Sequence, residues 1–553
     1  MIKKIFLVGL IFSGLSAQTD SLQEIKNVAE PNLLQTEAPK IDLPEFQITG
    51  TEFISLPDLK KDSVNEEKYF STEGLLKIKK NLEVEQNNKY VKKSLVHRES
   101  MSGKFLLYGG NFGTHAIEGW FGKNYDEGGL LFHGYTNGLN DNTRGAESDK
   151  WGISINGNLL LNKITEINQP LRLRSEIEIS KYTFNTFAAT EPETYNLNYS
   201  KIKIGADSKI SELTSFLTDF NFNTDLSLNT FSASQRNKEL NENEIQFNGK
   251  SFINIFSLPI AFDLKYINPT LIKIVDSTFQ YPFLFSNTIS YQGNYLNKYS
   301  YKIASQIYIS KGMDYKKETN FFPQLEFKYQ HNSINSYSIS FEPRIDYKNY
   351  REVFEVNPYL NLSSKYNFEK INNAIFAKSD LLIDSVSTLN AKIGFEKITN
   401  SIAFLEIDSN KTWNLKNVGE VNHFSLEFFY TRVLSSNSKL KSFFTINNFT
   451  SIDSSKTMPN ISPLKFGAIY ESEIIENLSF EAYLFYNSKK WSNFNQTKLV
   501  NSFVDVGAKA EYLIFDRLKV FGNISNLLNQ KIIYWYSYRE KGRAFLIGIT
   551  YSW

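Results

Sequence analysis

Arg543-Ala544-Phe545-Leu546-Ile547-Gly548-Ile549-Thr550-Tyr551-Ser552-Trp553 closes the chain, and its reading decides the fold. Every second residue from Phe545 onward is large and apolar: Phe545, Ile547, Ile549, Tyr551 and Trp553. Between them stand Leu546 and the small or polar Gly548, Thr550 and Ser552. A strand turns alternate side chains to opposite faces, so one face here is greasy and the other can meet water. At about ten residues the segment is long enough to cross a bilayer's apolar core as a tilted strand. A soluble sheet alternates in the same way. The decision therefore rests on whether the unit repeats.

It repeats from Gly103 to the end. Trp151, Ile153, Ile155 and Leu159 alternate with Gly152, Ser154, Asn156 and Asn158. Tyr299, Tyr301 and Ile303 alternate with Ser300, Lys302 and Ala304. Phe424, Leu426 and Phe428 alternate with Ser425, Glu427 and Phe429, and Val504, Val506 and Ala508 with Asp505, Gly507 and Lys509. Charge on one face and none on the other is the pattern of a strand with lipid outside and a lumen inside. Short turns, such as Ser435 to Ser438 and Phe515 to Arg517, are interleaved with longer polar stretches. The latter include Asn137 to Lys150, Ala233 to Glu242, Asn448 to Ser462 and Gln530 to Gly542. The expectation is an all-β chain: a transmembrane, antiparallel, up-and-down β-barrel over residues 103–553, with about 22 strands. Strand boundaries are least distinct from Ala374 to Val421. Phe429, Tyr483 and Phe485 are expected to point into the lumen.

Composition narrows the function. The 553 residues carry 61 Lys and Arg against 59 Asp and Glu, a net charge of +2. Nucleic-acid binding therefore has no electrostatic footprint. Aromatic residues reach 15%, with 45 Phe and 31 Tyr, as suits a barrel with aromatic girdles at both membrane interfaces. Mean hydropathy is −0.34. No apolar run after residue 20 approaches the roughly 18 residues of a membrane-spanning helix, which excludes a helical bundle. The absence of cysteine removes disulfides, thiolate metal sites, thiol catalysis and a lipid-modified Cys.

The first hundred residues have another texture. Lys3 and Lys4, the apolar run Ile5 to Leu15, and Ser16-Ala17 before Gln18 form a secretory signal at 1–17. Residues 18–102 are polar and interrupted by Pro31, Pro39, Pro44 and Pro57. They read as a mostly disordered periplasmic extension without a core of its own, with one short amphipathic turn at Leu75 to Lys80. One island, Leu43 to Glu52, can extend and add as a strand to a partner's sheet edge.

Several stretches resemble TonB-dependent receptors. Tyr108 to Thr114, His115 to Lys123 and Gly128 to Thr136 are similar to the first three barrel strands of that family. Asn523-Ile524-Ser525-Asn526-Leu527-Leu528-Asn529 is similar to its penultimate strand with the Asn-Leu-Phe-Asn tail. Gly542-Arg543-Ala544-Phe545 resembles the Pro-Gly-Arg-x-Phe that opens its last strand, with Lys541 where Pro is usual. The resemblance implies an outer-membrane transporter or receptor without catalytic residues or cofactor, moving a ligand it does not name. Its partners would be outer-membrane lipid, TonB and the barrel-assembly machinery. It also implies a TonB box before an N-terminal plug. Glu45, Phe46, Gln47, Ile48, Thr49, Gly50 and Thr51 resemble such a box, since Ile48 to Thr51 echoes Val-Thr-Gly-Thr. Phe545, Tyr551 and Trp553 resemble the assembly recognition signal of outer-membrane barrels. The departure is the missing plug: only about 50 residues separate the island from Gly103, far fewer than a domain. A plugless passive pore, or a non-transporting scaffold that binds a partner through its loops or N-terminal segment, stays open beside uptake.

No residue set carries chemistry. His97, His115, His133, His331 and His423 show no metal-ligand spacing such as H-E-x-x-H. His115 and His133 are expected to face each other on early strands. Asn140-Asp141-Asn142-Thr143-Arg144-Gly145 loosely follows a calcium loop, but Arg144 takes a ligand position and Asp149 is too short for the closing Glu. Gly249-Lys250-Ser251 lacks the upstream glycine of a phosphate loop. Trp491, and Trp535 with Tyr534, Tyr536 and Tyr538, belong to outer loops or an interfacial girdle.

Overall fold

The computed structural model describes residues 101–553, apart from 141–145, 162–170, 189–191, 212–216, 236–237, 256–257, 274–277, 313–315, 365, 408–410 and 453–455. The signal segment, the TonB-box-like Glu45 to Thr51, the turn at Leu75 to Lys80 and most of the calcium-like loop lie outside the described residues.

Twenty-two long strands run antiparallel, and the ring closes on itself. The first strand, Met101–Gly110, pairs with the second, His115–Tyr125, on one edge and with the last, Ala544–Ser552, on the other. That closing register runs from Lys104 opposite Ser552 to Gly110 opposite Leu546. Closure pairs the first and last strands, whose N–H and C=O groups would otherwise face lipid with no water to meet them. The first strand begins two residues before Gly103 because Met101 and Ser102 still pair with Lys123 and Gly122.

The alternation lands as the pattern requires. Phe545, Ile547, Ile549 and Tyr551 point outward, while Ala544, Leu546, Gly548 and Thr550 are buried inside. Leu546 breaks the polar rhythm for a reason. It packs in an inner-wall cluster with Leu106, Tyr108, Trp120, Leu131 and Phe521. The outward belt continues around the ring through Phe105, Ile117, Phe132, Ile153, Ile177 and Ile204.

The two ends differ. At one end the strands are joined by two-residue turns: Asp126-Glu127, Ser385-Val386, Ser436-Asn437, Glu476-Asn477 and Asp516-Arg517. Stacked Tyr299, Tyr329 and Tyr337 lie near this end, with ring centroids 5.1 and 6.3 Å apart. Short turns on this side and long connections on the other mark this end as periplasmic. At the other end, residues 342–368, 452–463, 488–502 and 526–543 form long connections.

Three expectations need correction. Ala233 to Glu242 is not a loop, because Leu217–Gln235 and Lys238–Ile255 pair up to Gln235 opposite Lys238. The indistinct Ala374 to Val421 belongs to three long strands, Glu369–Asp384, Ser387–Ile407 and Thr412–Ser435. A positive φ at Asn400 interrupts the strict two-residue rhythm there. His115 and His133 do not face each other. His115 sits opposite Gly138, while His133 points into the lumen opposite Trp120.

The seam where the barrel closes is tight. Asn111 Nδ2 donates to the Arg543 carbonyl at 2.9 Å, and its Oδ1 accepts from Phe545 N–H at 2.9 Å. A Cβ on Gly110 would meet the Phe545 carbonyl oxygen at 2.2 Å. A backbone oxygen cannot swing away as a side chain can. Gly110→Val is therefore expected to lower the yield of heat-modifiable folded barrel in gel-shift assays, whereas Phe105→Val on the lipid face should leave it unchanged.

Candidate functional site

The candidate site is the lumen and the lid that closes its outer end. Residues 342–368 leave the wall between Ser336–Phe341 and Glu369–Asp384 and reach the far side of the barrel. Their center is a short helix, α1 (Tyr350–Val356). Asn349 caps it: its Oδ1 accepts from Glu352 N–H at 2.9 Å, and the Glu352 carboxylate accepts from Asn349 N–H at 3.2 Å. The sequence Asn349-Tyr350-Arg351-Glu352 before Val353 and Phe354 is a capping box in front of apolar residues. That signal is legible in the sequence.

The barrel wall holds the helix by polar groups. Glu242 accepts from Tyr347 Oη at 2.7 Å and from Tyr350 N–H at 2.8 Å. Arg351 lies 3.5 Å over the Tyr199 ring and reaches Glu178 at 3.3 Å. Tyr195 Oη donates to the Leu360 carbonyl at 3.0 Å. The returning chain then bridges the opposite wall. Asn361 N–H donates to the Trp413 carbonyl at 2.8 Å, and Trp413 N–H to the Tyr359 carbonyl at 3.0 Å. Within the lid, Tyr350 Oη donates to the Ser364 carbonyl at 2.7 Å, and Tyr366 Oη to the Lys348 carbonyl. Burial pushes the Tyr350 and Tyr366 phenols above their ordinary range, and nearby Glu242 adds to it. Both therefore stay protonated donors.

A second loop, 526–543, folds onto the first. Tyr538 stacks on Tyr359 with centroids 3.6 Å apart, and Trp535 meets Trp413 edge-on at 5.2 Å. Ile532, Tyr534, Trp535 and Tyr538 join Val353, Phe354, Leu360, Trp413 and the wall residues Tyr195 and Phe231 in one apolar core. Trp535 and its tyrosines lie in an outer loop, as expected, but not in an interfacial girdle. Trp535, Tyr534 and Tyr538 are buried in the lid and do not mark an interface. Asn526 sets up the turn with a positive φ, bonding Gln530 in both directions at 2.9 Å.

Below the lid the lumen has two unlike walls. One, on strands from Leu171–Asn185 to Lys317–Gln330, is polar. Arg174 pairs with Asp207 at 3.2 Å and Asp225 at 3.3 Å, Lys203 with Asp225 at 3.2 Å, and Lys201 with Glu176 at 2.8 Å. Toward the periplasmic end this wall borders a cavity of about 900 Å³, whose lining includes Arg172, Lys209, Asn223, Lys250, Asp263 and Gln306. The other wall is aromatic, as expected for Phe429, Tyr483 and Phe485, which pack with Phe443 and Ile469. His133 lies 2.8 Å from Glu118 and stacks on Trp120. His423 bonds Glu396 at 2.8 Å, and Arg344 holds the same carboxylate at 3.0 Å. Among the described residues, no three His, Cys, Asp or Glu cluster closely enough to hold a metal ion. Phe545, Tyr551 and Trp553 all lie on the outward face of the closing strand, where the Tyr551 and Trp553 rings stack at 5.8 Å.

A closed 22-stranded barrel with an apolar belt and a polar lumen is an outer-membrane barrel protein. Solved structures of the same fold include a structure named copper transporter OprC. It has a TM-score of 0.62 and 10% identity over 83% of this chain and 81% of that one. The FrpB iron transporter from Neisseria meningitidis (F3-3 variant) gives 0.62 and 9% over 82% of each chain. The siderophore receptor PirA from Acinetobacter baumannii gives 0.62 and 11% over 83% and 81%. These are TonB-dependent receptors, and at such identities the likeness is one of fold. No protein-family model and no curated protein matches the chain.

Trp413 is fully buried where the two loops meet. Trp413→Ala should cost the lid about 3–5 kcal/mol, the usual range for removing a buried Trp. Limited trypsin digestion at exposed Arg539 should then accelerate, while heat-modifiable migration of the barrel persists.

Proposed function

We propose that the protein takes up a ligand across the outer membrane through a lumen gated from outside by its own loops. The observation that carries this reading is the lid: two outer loops share one apolar core that closes the outer end of the lumen. A permanently open pore would need no such core. The fold likeness supports the same reading, since the neighbours named above are transporters and receptors of copper, iron and siderophores. The aromatic wall of Phe443, Tyr483 and Phe485 favours a second reading, a blocked scaffold barrel that binds a partner through its loops.

Conductance separates the two. The purified full chain is expected to conduct weakly in planar bilayers, and a variant with residues 349–362 replaced by a short Gly-Ser linker to form large stable channels. Equal silence from both proteins would sink gated uptake and leave the scaffold.

Energy coupling would run through Glu45 to Thr51 as a TonB box. Such a segment adds a strand to TonB's sheet through backbone hydrogen bonds. Proline removes a donor and fixes φ. A peptide spanning Asp42 to Phe53 should bind a TonB C-terminal domain, Ile48→Ala should largely keep that binding, and Ile48→Pro should abolish it. No binding at millimolar peptide would remove TonB from the account. Phe545, Tyr551 and Trp553 are proposed as the recognition stripe for assembly machinery. A chain lacking Trp553 that folds with normal yield in cells would count against it.

A further inference from the structure

The barrel wall forks at two prolines. Strand Lys317–Gln330 pairs along its whole length with Tyr299–Lys311 on one edge. On its other edge, pairing with Ser336–Phe341 stops at Leu325 opposite Phe341. Continued two residues further, that register would set Pro323 opposite Pro343. Neither has a backbone N–H to give a ladder, and proline inside a sheet belongs at an edge. Beyond this point, among the described residues, Arg344–Asp346 pairs with Glu369 to Ile371, and Lys317 to Gln324 has no strand partner on that side. Side chains bridge the gap instead: Gln324 Nε2 donates to the Pro343 carbonyl at 3.2 Å, and Lys370 Nζ donates to Asn320 Oδ1. On the lumen side, Tyr308, Phe322 and Ile345 seal the fork with apolar contacts.

On the lipid side, a hollow of about 650 Å³ lies at the crotch of the fork. Ile303, Leu325, Phe327, Ile339, Phe341 and Ile375 line it. Its height follows from the girdle. Tyr329 marks the periplasmic interface, and Leu325 is four residues further along the strand. That is about 13 Å of strand, or about 10 Å of height at a tilt near 40°. The hollow thus sits near the middle of an apolar band about 25 Å tall, and the fork opens above it toward the outer leaflet.

We propose that this hollow is a binding site for one acyl chain of a membrane lipid. The hollow is continuous with the apolar belt that already meets the bilayer. Elsewhere a chain lies against a convex wall and touches it on one side. Here it is flanked by side chains from four strands. Lipid tails gain nothing hydrophobic by leaving other tails, so selective retention must come from van der Waals fit, which a concave surface supplies. The unpaired strand edges above are bridged by side chains, so the wall can adjust around the chain without breaking a ladder.

Native mass spectrometry of the full chain, purified in mild detergent and washed free of bulk lipid, tests this. The wild type is expected to keep one adduct with the mass of a two- or multi-chain membrane lipid. Ile339→Trp and Ile375→Trp each fill the hollow and should cut the bound fraction at least fivefold. Ile177→Trp, on the belt elsewhere, should keep it. Heat-modifiable migration checks that each variant folds, and two independent filling variants guard against one that does not. No adduct on the wild type, an adduct with the mass of detergent or a free fatty acid, retention in the filled variants, or equal loss from Ile177→Trp would each overturn the proposal.

Discussion

Inside a bilayer no water is available to a backbone N–H or C=O, and the whole architecture answers to that constraint. The terminal strands must find partners, so the sheet must end where it began. The pairing of Met101–Gly110 with Ala544–Ser552 is therefore the contact on which every other element depends. It explains why glycines crowd the seam: the backbones approach so closely that a Cβ on Gly110 has no room. It also explains why the fork at Pro323 and Pro343 is tolerated. The prolines remove two of the donors that would otherwise go unpaired, and Gln324 supplies a hydrogen bond to one of the remaining carbonyls.

A polar lumen cannot supply a hydrophobic core, so a structure that closes it must bring its own. The two outer loops do this with aromatic residues, which bury large areas at low entropy cost. Residues 342–368 would be a long stretch to order without such gain. Their wall contacts are polar where the wall is polar, at Glu242 and Glu178, and apolar where it is apolar, at Phe231 and Trp413. Strands that extend past the membrane, such as Leu217–Gln235 and Thr412–Ser435, give the lid a surface to pack against.

The barrel was legible in the sequence because its period is two and its outer face tolerates only apolar residues. Phe545 to Trp553 alone shows this, and the count of about 22 strands followed from repeating it. Orientation was legible too, because two-residue turns and long loops alternate. The lid was not. Its aromatics, among them Tyr350, Tyr359, Tyr366 and Tyr538, are scattered over loops with no period to bind them together, and they meet only in three dimensions. Trp535 with its tyrosines was noticed, but girdle and lid residues share a composition and differ only in burial. The paired prolines were visible as residues. Their opposition needs the register of two strands, which no single stretch reveals.

The coupling of the two loops decides how the outer end can open. Tyr359 and Tyr538 stack across the loop boundary, and Trp413 touches both Trp535 and Tyr538 from the wall. Withdrawing either loop exposes the apolar side of the other. Glu242 adds a second tie, because it loses two donors at once when α1 lifts, and a buried carboxyl group left without its partners is costly. Partial opening would thus incur most of the cost of full opening while freeing little of the lumen. The lid is built to move as one body, and a ligand that moves it must compete for several of these contacts at the same time.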